Sequence, residues 1–357
     1  MKKYEQVKRY IVNGISSGKY VAGERIDTEE ELGRILSVSH ITVKKALSDL
    51  VEQNYIYRIK GKGTFVKENA KETMKRSRTF ALLISNDEVK NSAFMRLVSG
   101  IQKEMADSGD ILAIEYADGT MENERAVLEN TMKKDIDGLL LYIFNVQLIV
   151  EILHNPLSKK IPYVVLDRCD ERYPCNLVAP NNTDGVFSAV DYLIQNGHSR
   201  IGFVGKNPSL SSERERYAGY LSALRFASLP VDERLVFREY RYDDMRLCER
   251  IREGEMTALF AVHDRCALTL LDIFQKEGIE VPDQISIIGF DDYGPAAYAR
   301  VPLTTIRQDF EALGREAARL LFDIYEKKQQ SGYKRIYLPT LLVERDSVKK
   351  RKVYGER

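Results

Sequence analysis

Ser39-His-Ile-Thr-Val-Lys-Lys45 and Lys60-Gly-Lys-Gly-Thr-Phe-Val66 are the two stretches that decide the first fold. Val43, Ala46, Leu47, Leu50 and Val51 recur with helical period, which predicts a helix from a Ser39 N-cap to about Gln53. The second stretch predicts two strands, 55–59 and 64–66, around a Gly61-Lys62-Gly63 tip. Upstream, Tyr4, Val7, Ile11 and Ile15 predict an amphipathic helix over 3–17, ended by Gly18. Thr28-Glu-Glu-Glu31 predicts a capping box for a helix bearing Leu32, Ile35 and Leu36. Three helices and a basic hairpin make a winged helix-turn-helix over residues 1–67, whose partner is double-stranded DNA.

The chemistry of that partner selects side chains. A helix N-terminus at the major groove offers amides and a positive dipole end to phosphate. Ser39 and Thr42 can donate to phosphate or base edges. His40 and Lys44 project from the first two turns, where bases are read, and Lys45 beside them suits phosphate. Lys60 and Lys62 suit the minor groove or backbone, and Gly61 and Gly63 permit close approach. Residues 1–75 hold 15 Lys and Arg against 10 Asp and Glu, although the whole chain carries only +1. The modest surplus fits phosphate binding.

Residues 68–78 are nearly devoid of apolar side chains and form the expected linker. From Thr79 the pattern alternates. Strand-length apolar runs lie at Phe80–Ser85, Ile111–Tyr116, Gly138–Phe144, Tyr163–Leu166, Ile201–Val204, Leu259–Val262 and Ile285–Phe290. Helical stretches lie near 94–108, 123–134, 184–196, 212–227, 265–277 and 310–328. Alternation of this kind predicts an α/β domain with parallel sheets covered on both faces. There are too many units for one common sheet, so two lobes are expected over 79–348, with a crossover at the break in the pattern near 180. In such sheets ligands bind at the strand C-termini. Arg168, Arg216, His263, Asp264 and Asp291 follow four different apolar runs and converge there, with the planar polar groups that sugars need.

Other classes are disfavoured. The composition, 44% hydrophobic and 30% charged, suits folded domains. No apolar run reaches membrane-spanning length and no signal segment opens the chain, so a cytoplasmic location is expected. Cys169, Cys175, Cys248 and Cys266 lack metal-ligand spacing and are expected to be reduced thiols, with no metal and no cofactor. No nucleophile elbow, P-loop or H-E-x-x-H motif supports an enzyme.

Residues 3–66 resemble the GntR family of bacterial regulators. The resemblance lies in Thr28-Glu-x-Glu-Leu32, Val38-Ser-x-x-Thr-Val-Lys44, Ala46-Leu-x-x-Leu50 and Gly61-x-Gly-Thr-Phe-Val66. Asp27 departs from the usual proline, Ser37 from glycine and His40 from arginine. The last change implies a different operator, because histidine cannot read guanine as arginine does. Glu30 lies where the family can face DNA. Its carboxylate either accepts from cytosine N4 or discourages nonspecific phosphate contact.

Residues 79–348 resemble the LacI-family effector domain, which has the periplasmic sugar-binding fold, and the resemblance implies further lobe crossovers near 304 and 332. The matching motifs are Val165-Leu-Asp-Arg168, Asn182-Thr-Asp-Gly185, Gly197-His-Ser-Arg-Ile-Gly-Phe-Val-Gly205, Arg216-Tyr-Ala-Gly-Tyr220, Ser286-Ile-Ile-Gly-Phe-Asp-Asp292 and Leu303-Thr-Thr-Ile-Arg-Gln308. His263-Asp264 replaces the family's usual Asn-Asp. The combination is that of the arabinose repressor group. The resemblance implies a dimeric repressor of sugar-utilisation genes that leaves its operator on binding a sugar such as L-arabinose. A corepressor mode responding to a nucleoside or sugar phosphate is the alternative, and an α/β enzyme fused to a DNA reader is a remote one.

Overall fold

The computed structural model describes residues 3–68, 70, 78–85, 92–106, 108–154, 161–170, 172–238, 244–326 and 332–351. Two compact units divide at Arg78 and Thr79.

In the first unit, helices α1 (Lys3–Ser16), α2 (Glu29–Leu36) and α3 (His40–Glu52) precede an antiparallel hairpin, β1 (Ile56–Ile59) and β2 (Gly63–Val66). Val7, Ile11, Leu32, Val43, Leu47, Leu50 and Ile56 are fully buried in one core. The capping box forms: Thr28 Oγ1 accepts from the Glu31 amide, and Glu31 accepts from the Thr28 amide. Ser37 closes α2 with φ 52°, the left-handed conformation that explains the glycine usual there. Asp27 accepts from the Tyr20 hydroxyl and from Lys19 Nζ at 2.9 Å, so it ties down the loop where proline is usual. The expected linker lies mostly outside the described residues. Of its described positions, Ala70 is fully buried in this core, so the packing runs past the expected boundary at 67. One small apolar side chain in a polar stretch gives no periodic signal.

The second unit holds two six-stranded sheets. The first lobe has the order β13-β7-β6-β5-β3-β4, all parallel. Its strands are β3 (Thr79–Ser85), β4 (Ile111–Ala117), β5 (Gly138–Tyr142), β6 (Tyr163–Leu166), β7 (Leu177–Pro180) and β13 (Arg335–Leu338). Phe80, Leu82 and Ile84 enter one core and Ala81 and Leu83 the other, so both faces of β3 are covered. The second lobe has the order β14-β12-β11-β10-β8-β9. Its strands are β8 (Ile201–Val204), β9 (Val236–Phe237), β10 (Ala258–Ala261), β11 (Ser286–Asp291), β12 (Thr304–Arg307) and β14 (Leu341–Val343). Only β14 runs antiparallel, against β12.

The chain passes from β7 to the Asn182–Gln195 helix, from β12 to the Phe310–Tyr325 helix, and from β13 to β14. The last two passages fall later than expected. Thr304–Arg307 pairs with β11 and Arg335–Leu338 with β7, so each remains in its lobe until its strand ends. Strands β7, β9, β12, β13 and β14 were absent from the expected runs. They are two to four residues long, and β9, β13 and β14 lie at sheet edges, whose pairing no local pattern declares.

His198 is 2% exposed in the second lobe. Its Nε2 lies 3.1 Å from the Lys349 carbonyl, which only accepts, so Nε2 carries the proton. Nδ1 then accepts from Thr257 Oγ1 at 3.1 Å. Burial pushes the imidazole down to about 4. An unfolded histidine binds its proton near pH 6.5, the folded one only near 4, so the unfolded chain holds more protons in between. Stability should therefore fall as pH drops from about 6.5 toward 4, with a slope of up to about 1.4 kcal/mol per pH unit from this residue. Urea titrations across that range should show a shallower slope for His198→Gln. An unchanged slope would rule this origin out.

Candidate functional site

The C-terminal ends of β5, β6, β8, β10 and β11 open on a cavity of about 1050 Å³ between the lobes of the second unit. Asp167, Asp291 and Asp292 hold positive φ values of 69°, 118° and 53° at two of these ends. Backbone strain of this kind persists only where surrounding structure enforces it, commonly at ligand sites.

Arg216 is the centre of the second-lobe wall. It sits in the second turn of the Ser211–Phe226 helix and is 6% exposed. Its Nε donates to Asn182 Oδ1 at 2.9 Å and Nη1 to the Val262 carbonyl at 2.7 Å. Nη2 lies 3.7 Å from Asp291 Oδ1, and the guanidinium stands 3.9 Å over the Phe290 ring. Asp291 Oδ1 also accepts from Gln308 Nε2 at 2.5 Å. Across the cavity Arg168 bonds Asp167 through Nε at 2.8 Å and lies 4.6 Å over the Phe144 ring. Arg168, Arg216, His263 and Asp291 all line the cavity.

His263 caps the Asp264–Lys276 helix, its Nδ1 accepting from the Cys266 amide at 2.9 Å. The proton is thereby left on Nε2. Burial, then the charges of Arg216, Lys206 and Arg265, push this ring down to about 3, so it stays neutral.

Asp264 does not face the cavity. It is fully buried beneath the floor, where Oδ1 accepts from Thr305 Oγ1 at 2.5 Å and Oδ2 from the Tyr293 amide at 2.7 Å. Burial, then the charge of Asp291, raises its carboxyl well above the usual carboxylate range. Expecting Asp264 at the ligand is corrected accordingly: it braces the loop after β11. The N-cap turns His263 outward and the next residue inward.

Gln308 is a residue the sequence reasoning passed over. It is 5% exposed, lines the cavity, and its Oε1 has no hydrogen-bond partner among the described residues. A buried acceptor left open costs about 1–3 kcal/mol, which a ligand hydroxyl recovers. Its signal was the end of the Leu303–Gln308 motif.

In the first unit, Glu30, Ser39, His40, Lys44, Lys45, Lys60 and Lys62 are exposed, and Thr42 and Gly63 partly so. Ser39 Oγ accepts from the Thr42 amide at 3.4 Å and bonds its hydroxyl at 2.8 Å, so both stand at the α3 N-terminus. Lys45 Nζ lies 4.7 Å from the Tyr4 ring centroid. Gly61 and Gly63 have φ 77° and 122°, which only glycine adopts freely. A Cβ at Gly63 would also lie 2.6 Å from Arg25 Nε. Ile41, missed in the sequence, is 80% exposed in the first turn of α3 and offers an apolar contact for a thymine methyl. Its signal was its place off the buried stripe. Gly14-Ile-Ser-Ser-Gly18 has the G-x-S-x-G spacing, which the sequence reading overlooked, but Ser16 ends α1 rather than following a strand, so it is no nucleophile elbow.

No cluster among the described residues could hold a metal, and none of their helices is long and apolar enough to cross a membrane. The bacterial regulatory proteins of the gntR family match residues 3–66, and the periplasmic binding protein-like domain matches 190–348. The arabinose metabolism transcriptional repressor of Geobacillus stearothermophilus is 28% identical, over 97% of this chain and 98% of that protein. The HTH-type transcriptional repressor PurR of Vibrio campbellii is 30% identical over 77% of this chain and 82% of its own. Among solved structures, a transcriptional regulator CelR–cellobiose complex aligns with TM-score 0.67 at 23% identity, covering 90% of this chain and all of that one. A lac repressor dimer bound to operator and the anti-inducer ONPF aligns with TM-score 0.65 at 22% identity, covering 80% of this chain and 99% of that one. These two show the fold.

Proposed function

This chain belongs to the bacterial transcriptional repressors that join a GntR-type winged helix-turn-helix to a LacI-type, periplasmic-binding-protein-like domain, and from that premise we propose how it works. It is a cytoplasmic homodimer that represses sugar-utilisation genes and releases its operator when a sugar such as L-arabinose enters the interlobe cavity. The observation that carries this is the convergence of Arg216, Asp291 and the open Gln308 acceptor on one wall of that cavity, opposite Arg168. The full-length similarity to arabinose metabolism repressors favours a pentose.

Arg168, Arg216, His263, Asp291 and Gln308 hold the sugar. On the reading head, Ser39, Thr42, Lys45, Lys60, Lys62 and Gly63 hold the backbone, while His40, Ile41, Lys44 and Glu30 face bases. Closing the lobes shifts the equilibrium between DNA-competent and released forms by the sugar's differential affinity for them.

A thermal-shift panel of pentoses, hexoses, nucleosides and sugar phosphates tests the assignment. A ligand at a hundredfold excess over Kd stabilises the fold by about 2.7 kcal/mol. A pentose shift that also lowers operator affinity is expected. Tighter operator binding with ligand would reverse the sign to corepression, and no shift with any sugar would sink the sugar assignment.

The wing gives a separate expectation. Lys60→Ala with Lys62→Ala should weaken binding about equally on specific and nonspecific duplexes. The slope of log K against log salt should flatten by about 2. Fluorescence anisotropy against KCl concentration checks it; an unchanged slope would remove both lysines from the phosphate contacts.

A further inference from the structure

One buried carboxylate holds the first-lobe wall of the cavity. Glu124 lies in the first turn of the Met121–Lys133 helix and is fully buried. Its Oε1 accepts from the Phe144 amide at 2.8 Å. Its Oε2 accepts from the Asn145 amide at 2.9 Å and from Asn145 Nδ2 at 2.8 Å. Asn145 Nδ2 also donates to the Gly119 carbonyl at 3.3 Å. The loops after β4 and β5 are thereby tied together, and Gly119, Thr120, Phe144 and Asn145 from them line the cavity. A backbone carbonyl only accepts, so the Asn145 amide must turn its nitrogen toward Gly119 and its oxygen away. That oxygen, Oδ1, has no hydrogen-bond partner among the described residues.

We infer that Asn145 is a specificity-determining contact for the effector and that Glu124 is the residue that positions it. Asn145 Oδ1 accepts from a ligand hydroxyl, so the effector group at the first-lobe wall must be able to donate. A sugar hydroxyl donates, whereas the oxygens of an ionised phosphate only accept. The neighbouring guanidinium does not reverse this choice. Arg168 donates through Nε to Asp167 at 2.8 Å, and its Nη2 lies 2.6 Å from the same carboxylate, which offsets its charge. The inference rests on the sugar assignment above and deepens it, because it selects a free, neutral sugar over a sugar phosphate. Glu124 itself touches no ligand. Without its carboxylate, the Asn145 amide keeps only the 3.3 Å bond to Gly119 and is free to rotate.

Calorimetric titration of the full chain tests this, first with L-arabinose, D-xylose, D-ribose, D-galactose and D-glucose. The monodeoxy and monofluoro analogues of whichever sugar binds come next. At one ring position the deoxy sugar should bind the wild type about three- to tenfold more weakly, the worth of one hydrogen bond. Asn145→Ala should bind the parent and that deoxy sugar equally. The fluoro sugar cannot donate and should match the deoxy one there, and the sugar phosphorylated at that position should bind no better. Glu124→Gln sets an amide nitrogen against donors, so it should reduce the same preference to about twofold or less while sparing the preferences at other positions. Asn145→Ser, too short to reach the ligand but still able to donate to Glu124, replaces the alanine variant should that one fail to fold. Full preference retained without Asn145, or a fluoro sugar that binds like the parent, would overturn the contact. Full preference in Glu124→Gln, or equal losses at every position, would overturn the positioning role. A wild type that binds none of these sugars sinks the sugar assignment and this inference with it. A sugar that binds without coupling to Asn145 sinks this inference alone.

Discussion

Arg216→Leu should yield a repressor that grips its operator and no longer responds to sugar. Two hydrogen bonds, an ion pair and a ring contact converge on this guanidinium: Asn182 at 2.9 Å, Val262 at 2.7 Å, Asp291 at 3.7 Å and the Phe290 ring at 3.9 Å. Leucine fills part of the volume but returns none of the polar partners. Each buried group left unpaired costs about 1–3 kcal/mol, so effector affinity should fall a hundredfold or more and stability by a few kcal/mol. Lysine should not rescue, because a single ammonium cannot span partners that a planar fork reaches together. Calorimetric titration with the identified sugar, alongside operator anisotropy with and without it, checks both halves. Near-wild-type sugar affinity in Arg216→Leu would remove this residue from the site.

Gly314→Ala should be among the most damaging single methyl additions at the described residues. A Cβ there would lie 2.1 Å from the Leu97 carbonyl oxygen, and one at Gly100 would lie 2.0 Å from that of Glu311. The Ser92–Met105 and Phe310–Tyr325 helices therefore cross backbone against backbone. No rotamer change relieves a clash with main chain, so the helices must part and loosen Leu97, Ile101, Leu313 and Ala317. Alanine favours a helix over glycine by about 1 kcal/mol, which is too little to compensate. A net loss of about 3 kcal/mol or more is expected from such overpacking. Gly109→Ala is the control: its φ is 72° with nothing near, so only the conformational cost of about 1–2 kcal/mol applies. Urea unfolding of the two variants decides. Equal stability for Gly314→Ala and wild type would mean that the crossing is looser than it appears.

The reading head was legible because its information is local. Capping at Thr28 and Ser39, the buried stripe of α3 and the glycine hairpin are each written within a few residues. The long central strands were legible for the same reason. What failed was non-local. Strands β13 and β14 exist because β7 and β12 leave edges to cover, and nothing within Arg335–Leu338 or Leu341–Val343 declares that. At the cavity the sequence found the right strand ends but could not rotate side chains about them. His263 and Asp264 are neighbours in the chain, yet one faces the cavity and the other supports Thr305 and Tyr293 from below.

The placement of the Phe310–Tyr325 helix bears on how the chain is made. Strands β3 to β7 of the first lobe leave the ribosome early, but this helix, which seals Phe80 and Leu140 in their core, emerges only after nearly all of the second lobe. The reading head, complete by Ala70, can fold during synthesis, whereas the first lobe must wait for the last sixth of translation. A nascent chain stalled before residue 310 would then carry a finished DNA reader on a receptor with an open hydrophobic face. Such a fragment is a natural target for chaperones and quality-control proteases, which would spare the cell a repressor that no sugar could switch off.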